Sequence, residues 1–320
     1  MPKPEILITG SLMPLVHEQL SAAYTTHSLP AGDAADDVLN AVADEIRGIA
    51  GSPARGIGAN LMDRLPRLEI IANYGVGYDN IDVPHAAARN IIVTNTPDVL
   101  SEEVADAAIG LMIMTARELS AAERWLRAGK WKKGYPLTRG TLRGKRLGIF
   151  GLGRIGRAIA VRAQAMGMEI CYHNRTRVRD VPYPYCSSLR ELASHCDVLL
   201  CAAPGGEATR GLINAEIFQA LGAEGIFINI GRGTTVDEPA LVAALQDRTI
   251  MAAGLDVFEN EPHVPQELMD MDHVVLLPHM ASASVHTRNA MAQLLVDNLI
   301  GWFENGAPLT PVAETPWPRK

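Results

Sequence analysis

Short apolar runs alternate with longer stretches of helical periodicity along almost the whole chain. The apolar runs cover residues 5–9, 46–49, 68–72, 91–95, 146–150, 169–173, 198–202, 225–230, 252–257 and 274–277. Helix-period stretches lie between them, among them 101–128, 155–167 and 239–245. Repeated strand–helix–strand units predict parallel sheets with crossover helices on both faces. At 320 residues the chain exceeds one typical core, so about two domains are expected.

Residues 101–128 read as one long helix, opened by Ser101 with Glu102 and Glu103 suited to the positive end of the helix dipole. The run Gly129-Lys130-Trp131-Lys132-Lys133-Gly134-Tyr135-Pro136 then breaks the pattern, and a fresh strand begins at Arg146. A first α/β unit is expected over about residues 1–98 and a second from about 99. A final helix is expected over about 285–304, and periodicity leaves open which unit it packs on.

Composition removes several classes. The chain is 48% hydrophobic and 20% charged, which is globular, and its net charge of −7 opposes general affinity for nucleic acid or anionic membrane. Residues 107–116, uncharged and apolar, fall well short of the roughly 20 that a membrane span needs. The start moves from Met1-Pro2-Lys3-Pro4 straight into a strand-like run, so no signal peptide is read. The four cysteines (Cys171, Cys186, Cys196 and Cys201) have neither C-x-x-C nor zinc spacing. They are expected to be reduced and structural, in a cytoplasmic protein without a metal.

The strand expected over 146–150 runs into Gly151-Leu152-Gly153-Arg154-Ile155-Gly156, and then into a helix with Ile155, Ile159, Ala163 and Met166 on one face. A bare G-x-G-x-x-G is weak, but strand before and amphipathic helix after make it informative. The first glycine permits the tight turn, the second lets a pyrophosphate approach the backbone, and the third brings helix close to strand. The N–H groups at the helix start bind the pyrophosphate, with Arg154 beside it. About 20 residues on, where an NAD enzyme carries an acid for the ribose 2′-hydroxyl, stands Tyr172-His173-Asn174-Arg175-Thr176-Arg177. Asn174 can hydrogen-bond the ribose, while Arg175 and Thr176 can bind a 2′-phosphate, in a field strengthened by Arg177 and Arg179. NADPH is therefore the expected cofactor, with NAD left open.

Three later strand ends each deliver a reactive residue type. Residues 226–230 lead to Arg232 between Gly231 and Gly233, which leave its surroundings clear. Gly254-Leu255-Asp256-Val257-Phe258 leads to Glu259 and Glu261, and Val274-Val275-Leu276-Leu277-Pro278 ends in His279. Ligands of open α/β sheets bind beyond the carboxyl ends of strands. An arginine there can pair with a carboxylate and polarise a 2-oxo group. A histidine, with a reference pKa of about 6.5, can donate the proton, and a carboxylate beside it would orient the ring and favour its charged form.

In this order the motifs resemble the D-isomer-specific 2-hydroxyacid dehydrogenases, closest to the glyoxylate/hydroxypyruvate and hydroxyphenylpyruvate reductase branches. The resemblance spans nearly the whole chain. It is carried by Asn73-Tyr74-Gly75-Val76-Gly77-Tyr78-Asp79-Asn80-Ile81-Asp82, Thr94-Asn95-Thr96-Pro97, the glycine turn, and Asn229-Ile230-Gly231-Arg232-Gly233 with Val236-Asp237-Glu238. Gly254-Leu255-Asp256-Val257-Phe258 with Glu261-Pro262, and Pro278-His279, complete it. The resemblance implies a Rossmann-type dinucleotide domain (99–285) inserted into a flavodoxin-like substrate domain (1–98 with 286–320), so that the final helix returns to the first lobe. It also implies a homodimer formed through the nucleotide domains.

The family's catalytic residues fall on Arg232, Glu261 and His279, and its substrate-carboxylate loop on Val76 and Gly77. Further cofactor contacts fall on Ala203, Pro204, Thr209, Ile230, Gly231, Arg232, Asp256, His279 and Ala281, with Asp256 near the nicotinamide amide. The implied reaction is NADPH-preferring reduction of a small 2-oxo acid to the D-2-hydroxy acid, with hydride from nicotinamide C4 and a proton from His279. Two other readings stand beside it: a reductase for bulkier 2-oxo acids such as phenylpyruvates, and a non-enzymatic NAD(P)-sensing binding protein.

Overall fold

The computed structural model describes residues 3–32, 34–52 and 55–318. Met1, Pro2, Arg319 and Lys320, which belong to the first expected domain, lie outside these residues. The chain divides into two compact units, Met1–Leu100 with Ala283–Lys320, and Ser101–Ser282.

The first unit holds β1 (Glu5–Thr9), β2 (Thr25–Leu29), β3 (Ile46–Gly51), β4 (Ile70–Asn73) and β5 (Ile92–Thr94), in sheet order β2-β1-β3-β4-β5. Every pairing is parallel. β4 and β5 are buried at every position, as strands covered on both faces must be. The helix Val285–Asn305, N-capped by Ser284 and ended by Gly306 in the left-handed region, packs on β4 and on the helix Pro14–Ala23. The tail beyond it runs along β5, where Val312 N–H donates to Val93 O at 2.9 Å.

β2 carries no apolar signature. It reads Thr-Thr-His-Ser-Leu with only Leu29 buried, because an edge strand need not present two dry faces. His27 is held instead by Glu5 of β1 at 2.7 Å.

The second unit holds β6 (Arg146–Phe150), β7 (Glu169–His173), β8 (Val198–Cys201), β9 (Ile226–Asn229), β10 (Ala252–Leu255) and β11 (Val274–Leu276). Their order is β11-β10-β9-β8-β6-β7, all parallel. The chain starts in β6, steps to β7 at the edge, then crosses back to β8. That reversal opens a crevice at the carboxyl ends of β6 and β8, where doubly wound sheets take ligands. The four cysteines are buried free thiols, and burial, with Cys186 alongside, pushes Cys171 up to about 12.

The expected single helix over 101–128 is two. The helix Ser101–Ala116 is separated from the helix Leu119–Arg127 by Glu118, which sits in the left-handed region at φ 52°. Residues on both sides favour helix, so no local composition marks the break. The second helix buries none of its residues, whereas the first packs along β10 and the helix Arg154–Ala165. Among the described residues no helix is long and apolar enough to cross a membrane.

Candidate active site

The three glycines after β6 do different physical work. Gly151 has φ +101°, and a Cβ there would lie 2.5 Å from Ala203 N. A Cβ on Gly156 would lie 2.4 Å from Gly151 O. Both are required by backbone packing. Gly153 is the exception, for a Cβ there meets nothing within 4 Å. It is the N-cap of the helix Arg154–Ala165 and offers no side-chain cap to the first-turn N–H groups. A side chain at 153 would fill only space that a ligand needs to reach those groups, so the cradle fits a pyrophosphate.

Asn174 does not stand free at the end of β7. Its Oδ1 accepts from Leu152 N at 2.7 Å, which ties the loop after β7 to the glycine turn and leaves Nδ2 and the second lone pair of Oδ1 for a ribose. Arg175 and Thr176 are exposed, while the Arg177 guanidinium lies 5.9 Å from the Tyr185 ring centroid. The loop is pinned at both ends. Tyr185 OH donates to Asn174 O at 3.2 Å, and Tyr172 OH exchanges hydrogen bonds with Val178. Thr209, expected among the cofactor contacts, donates its hydroxyl to Pro204 O at 2.8 Å and so shapes the loop after β8. Ala203 is buried and touches the turn through its backbone, and Ile230 N–H donates to Cys201 O at 3.1 Å.

Three neighbouring strands, β9, β10 and β11, deliver Arg232, Glu261 and His279 at their carboxyl ends. Asn229, buried at the last position of β9, accepts from Gly231 N at 3.0 Å and donates to Arg232 O at 3.1 Å. Thr235 Oγ1 donates to the same carbonyl at 2.6 Å. The flanking glycines do not clear space for the guanidinium, as the sequence suggested. A Cβ on Gly231 would lie 2.6 Å from Ala203 O, and one on Gly233 would lie 1.9 Å from Phe258 C. They let the arginine turn press against the two adjacent strand-end loops.

His279 Nδ1 and Glu261 Oε2 are 2.7 Å apart, and Glu261 Oε1 accepts from Phe258 N at 3.1 Å. Burial alone would raise the Glu261 carboxyl. The hydrogen bond and charge of His279, the Phe258 N–H and the Arg232 charge bring it below the ordinary glutamate value. His279 itself sits in the left-handed region at φ 50°, a conformation tolerated only when neighbours over-determine it. Asp256 is that neighbour. Its backbone O accepts from His279 N at 2.8 Å, and its carboxylate accepts from Met280 N at 2.7 Å and Ala281 N at 3.0 Å. Asp256, which the resemblance places near the nicotinamide, uses both carboxylate oxygens to hold the histidine turn. Burial (1% exposed) raises its carboxyl above the ordinary aspartate value, against the pull of those N–H groups.

Val76 and Gly77 belong to the first unit and form a half-buried loop after β4. Asn73 and Asn95 hold its carbonyls. An open recess of about 620 Å³ in that unit, lined by Gly10, Ser11, Leu29, Gly32 and Arg55, contains none of the expected site residues. Among the described residues no group of three His, Cys, Asp or Glu side chains could hold a metal ion. Asn229, Thr235, Asn73 and Asn95 were not legible as site residues. The local hint is an asparagine at a strand end two residues before a glycine, at Asn73 and Asn229, which is a turn signal.

The sequence model of the D-isomer specific 2-hydroxyacid dehydrogenase NAD-binding domain matches residues 109–281. The chain is 48% identical over 269 residues to a glyoxylate/hydroxypyruvate reductase A of Arabidopsis thaliana, covering 84% of this chain and 86% of the relative. It is 46% identical over 277 residues to the hydroxyphenylpyruvate reductase of Plectranthus scutellarioides, covering 86% and 88%. Among solved structures, the NADPH-dependent glyoxylate/hydroxypyruvate reductase of Sinorhizobium meliloti, in complex with NADP and malonate, superposes with a TM-score of 0.95. It is 51% identical, over 99% of each chain.

Proposed function

Since the chain belongs to the D-isomer-specific 2-hydroxyacid dehydrogenases, we propose that it reduces a small 2-oxo acid of the glyoxylate or hydroxypyruvate type to the D-2-hydroxy acid, with NADPH preferred to NADH. The observation that carries this reading is the 2.7 Å pair of His279 and Glu261 on strand ends next to the one that bears Arg232.

Residues 151–156, with Asn174, Arg175 and Thr176, hold the cofactor in this reading. Bound reduced nicotinamide supplies the hydride that adds to C2 of the 2-oxo acid. Arg232 pairs with the substrate and draws electron density toward the 2-oxo oxygen. Val76 and Gly77 N–H groups hold the carboxylate. Glu261 occupies His279 Nδ1, so Nε2 is the nitrogen left to give a proton to the developing alkoxide. Asp256 and Asn229 set the two turns from which His279 and Arg232 project.

NADPH preference is supported by the absence of an acid at the tip of β7, by exposed Arg175 and Thr176, and by the likeness to a structure that holds NADP. We further propose a cytoplasmic homodimer. The family resemblance supports the dimer, and Leu119, Leu126, Trp131 and Leu137, at 44%, 55%, 70% and 98% exposure, are apolar side chains of the second unit that a partner subunit could cover. The 46% identity to a hydroxyphenylpyruvate reductase keeps bulkier 2-oxo acids as a second substrate reading.

Steady-state kcat/KM with glyoxylate, hydroxypyruvate and phenylpyruvates, each with NADPH and NADH, tests the whole reading. A higher value with NADPH, falling toward parity in Arg175→Ala, is expected. Equal values or an NADH preference in the wild type would refute the cofactor assignment, and no turnover at all would refute the function.

A further inference from the structure

Resting on that reading, we propose that Asn95 and Asn73 are positioning residues for the substrate carboxylate, which they control through the orientation of the peptide groups of the loop 75–77. Neither residue touches the substrate in this assignment.

A trans peptide is planar, so its C=O and the next residue's N–H point in opposite directions. Holding a carbonyl therefore aims the following N–H. Gly75 O accepts from Thr96 N at 2.9 Å and from Asn73 Nδ2 at 3.1 Å. Val76 O accepts from Asn95 Nδ2 at 2.8 Å, and Gly77 O from Asn73 Nδ2 at 2.9 Å. Three successive carbonyls are thus pinned by protein donors. The N–H groups of Val76 and Gly77 point away from the pins and have no acceptor among the described residues. Two adjacent N–H groups without acceptors match the two oxygens of a carboxylate.

The burial of Asn73 strengthens the assignment. The residue is 1% exposed, and its Oδ1 is a buried oxygen with no partner. Leaving an acceptor unsatisfied is costly. Turning the amide over would instead face that oxygen toward two carbonyls, so the donor role toward the loop decides its orientation. Gly75 O keeps a second donor in Thr96 N, whereas Asn95 is the only donor to Val76 O among the described residues. Asn95 accordingly controls the Gly77 N–H alone and gives the cleaner test.

The experiment compares wild type, Asn95→Ala and the isosteric Asn95→Asp. It measures KM and kcat for glyoxylate at saturating NADPH, KM for the uncharged methyl glyoxylate, Ki for malonate, and the Kd of NADPH. Removing the pin raises KM for glyoxylate and Ki for malonate together by about tenfold, as for one lost hydrogen bond to a charge. kcat stays within about threefold, and the ester KM and NADPH Kd do not move. Asn95→Asp, whose carboxylate repels Val76 O, gives a larger effect in the same direction and carries the test if Asn95→Ala fails to fold. Unchanged KM and Ki in a folded variant, or an ester KM that rises in step with that of glyoxylate, overturn this assignment alone. A wild type that turns over no 2-oxo acid overturns the functional reading, and this assignment with it.

Discussion

Gly153 and Gly156 belong to one motif yet answer to different forces, so alanine at each should separate binding from stability. A Cβ at 153 meets nothing within 4 Å, and the backbone there (φ −87°, ψ −155°) lies in the extended region open to alanine. Losing glycine at an N-cap costs up to about 1 kcal/mol. Restricting the unfolded chain returns about 0.4–1 kcal/mol, so the net change is small. At 156 the added Cβ lies 2.4 Å from Gly151 O, a backbone atom that cannot swing aside. Overpacking of that kind costs about 3 kcal/mol, and the better helix propensity of alanine offsets about 1 of it. For a unit of this size about 2 kcal/mol lowers Tm by roughly 4–8 °C. Gly153→Ala should then melt within about 3 °C of wild type while its KM for NADPH rises about tenfold or more. Gly156→Ala should melt clearly lower. Melting curves and NADPH titrations on the two purified variants check this directly. A large Tm loss in Gly153→Ala with unchanged NADPH affinity would show that the second glycine serves packing and not access of a pyrophosphate to the backbone.

Three further expectations concern the catalytic strand ends. His279→Ala and Arg232→Ala each lower kcat/KM by about a hundredfold or more, and Arg232→Ala also raises the substrate KM; steady-state kinetics that leave either variant near wild type would remove its assigned role. Because the Glu261 carboxyl titrates below its ordinary value, the stability it contributes is fully present above the reference value of about 4.3 and is lost as pH falls through the lower folded value. The melting curves of wild type and Glu261→Gln should therefore converge in that acid range, and a gap constant from pH 3 to 7 would contradict the assignment. Asp256→Ala leaves the Met280 and Ala281 N–H groups without their acceptor and releases the left-handed turn at His279. Both Tm and kcat should fall, with little change in the Kd of NADPH, and an unchanged kcat would show that the histidine turn holds itself.

Chemistry that depends on neighbours in the chain was legible from the residues alone. Buried parallel strands need dry residues on both faces, so β3–β5 and β6–β11 announce themselves as apolar runs. The glycine turn is recognisable because strand, turn and helix are contiguous, and Arg232 and His279 stand out because each follows such a strand. Glu118 is a case where this failed. Its left-handed conformation splits a stretch of uniform helical character, and nothing in residues 101–128 marks it.

What remained for the tertiary structure to decide lies between residues far apart in sequence. Asp256 meets Ala281 across 25 residues, Asn174 meets Leu152 across 22, and Asn95 meets Val76 across 19. Each is a polar side chain whose type permits many partners, and only the packed strand ends select one. The same holds for Gly231 and Gly233, which are required because the backbones of Ala203 and Phe258 pack against them. Periodicity and residue type are local properties, so they determined the elements and the kinds of group at the site. The orientation of those groups depends on loops that meet only when the sheets are assembled, and no local signal encodes it.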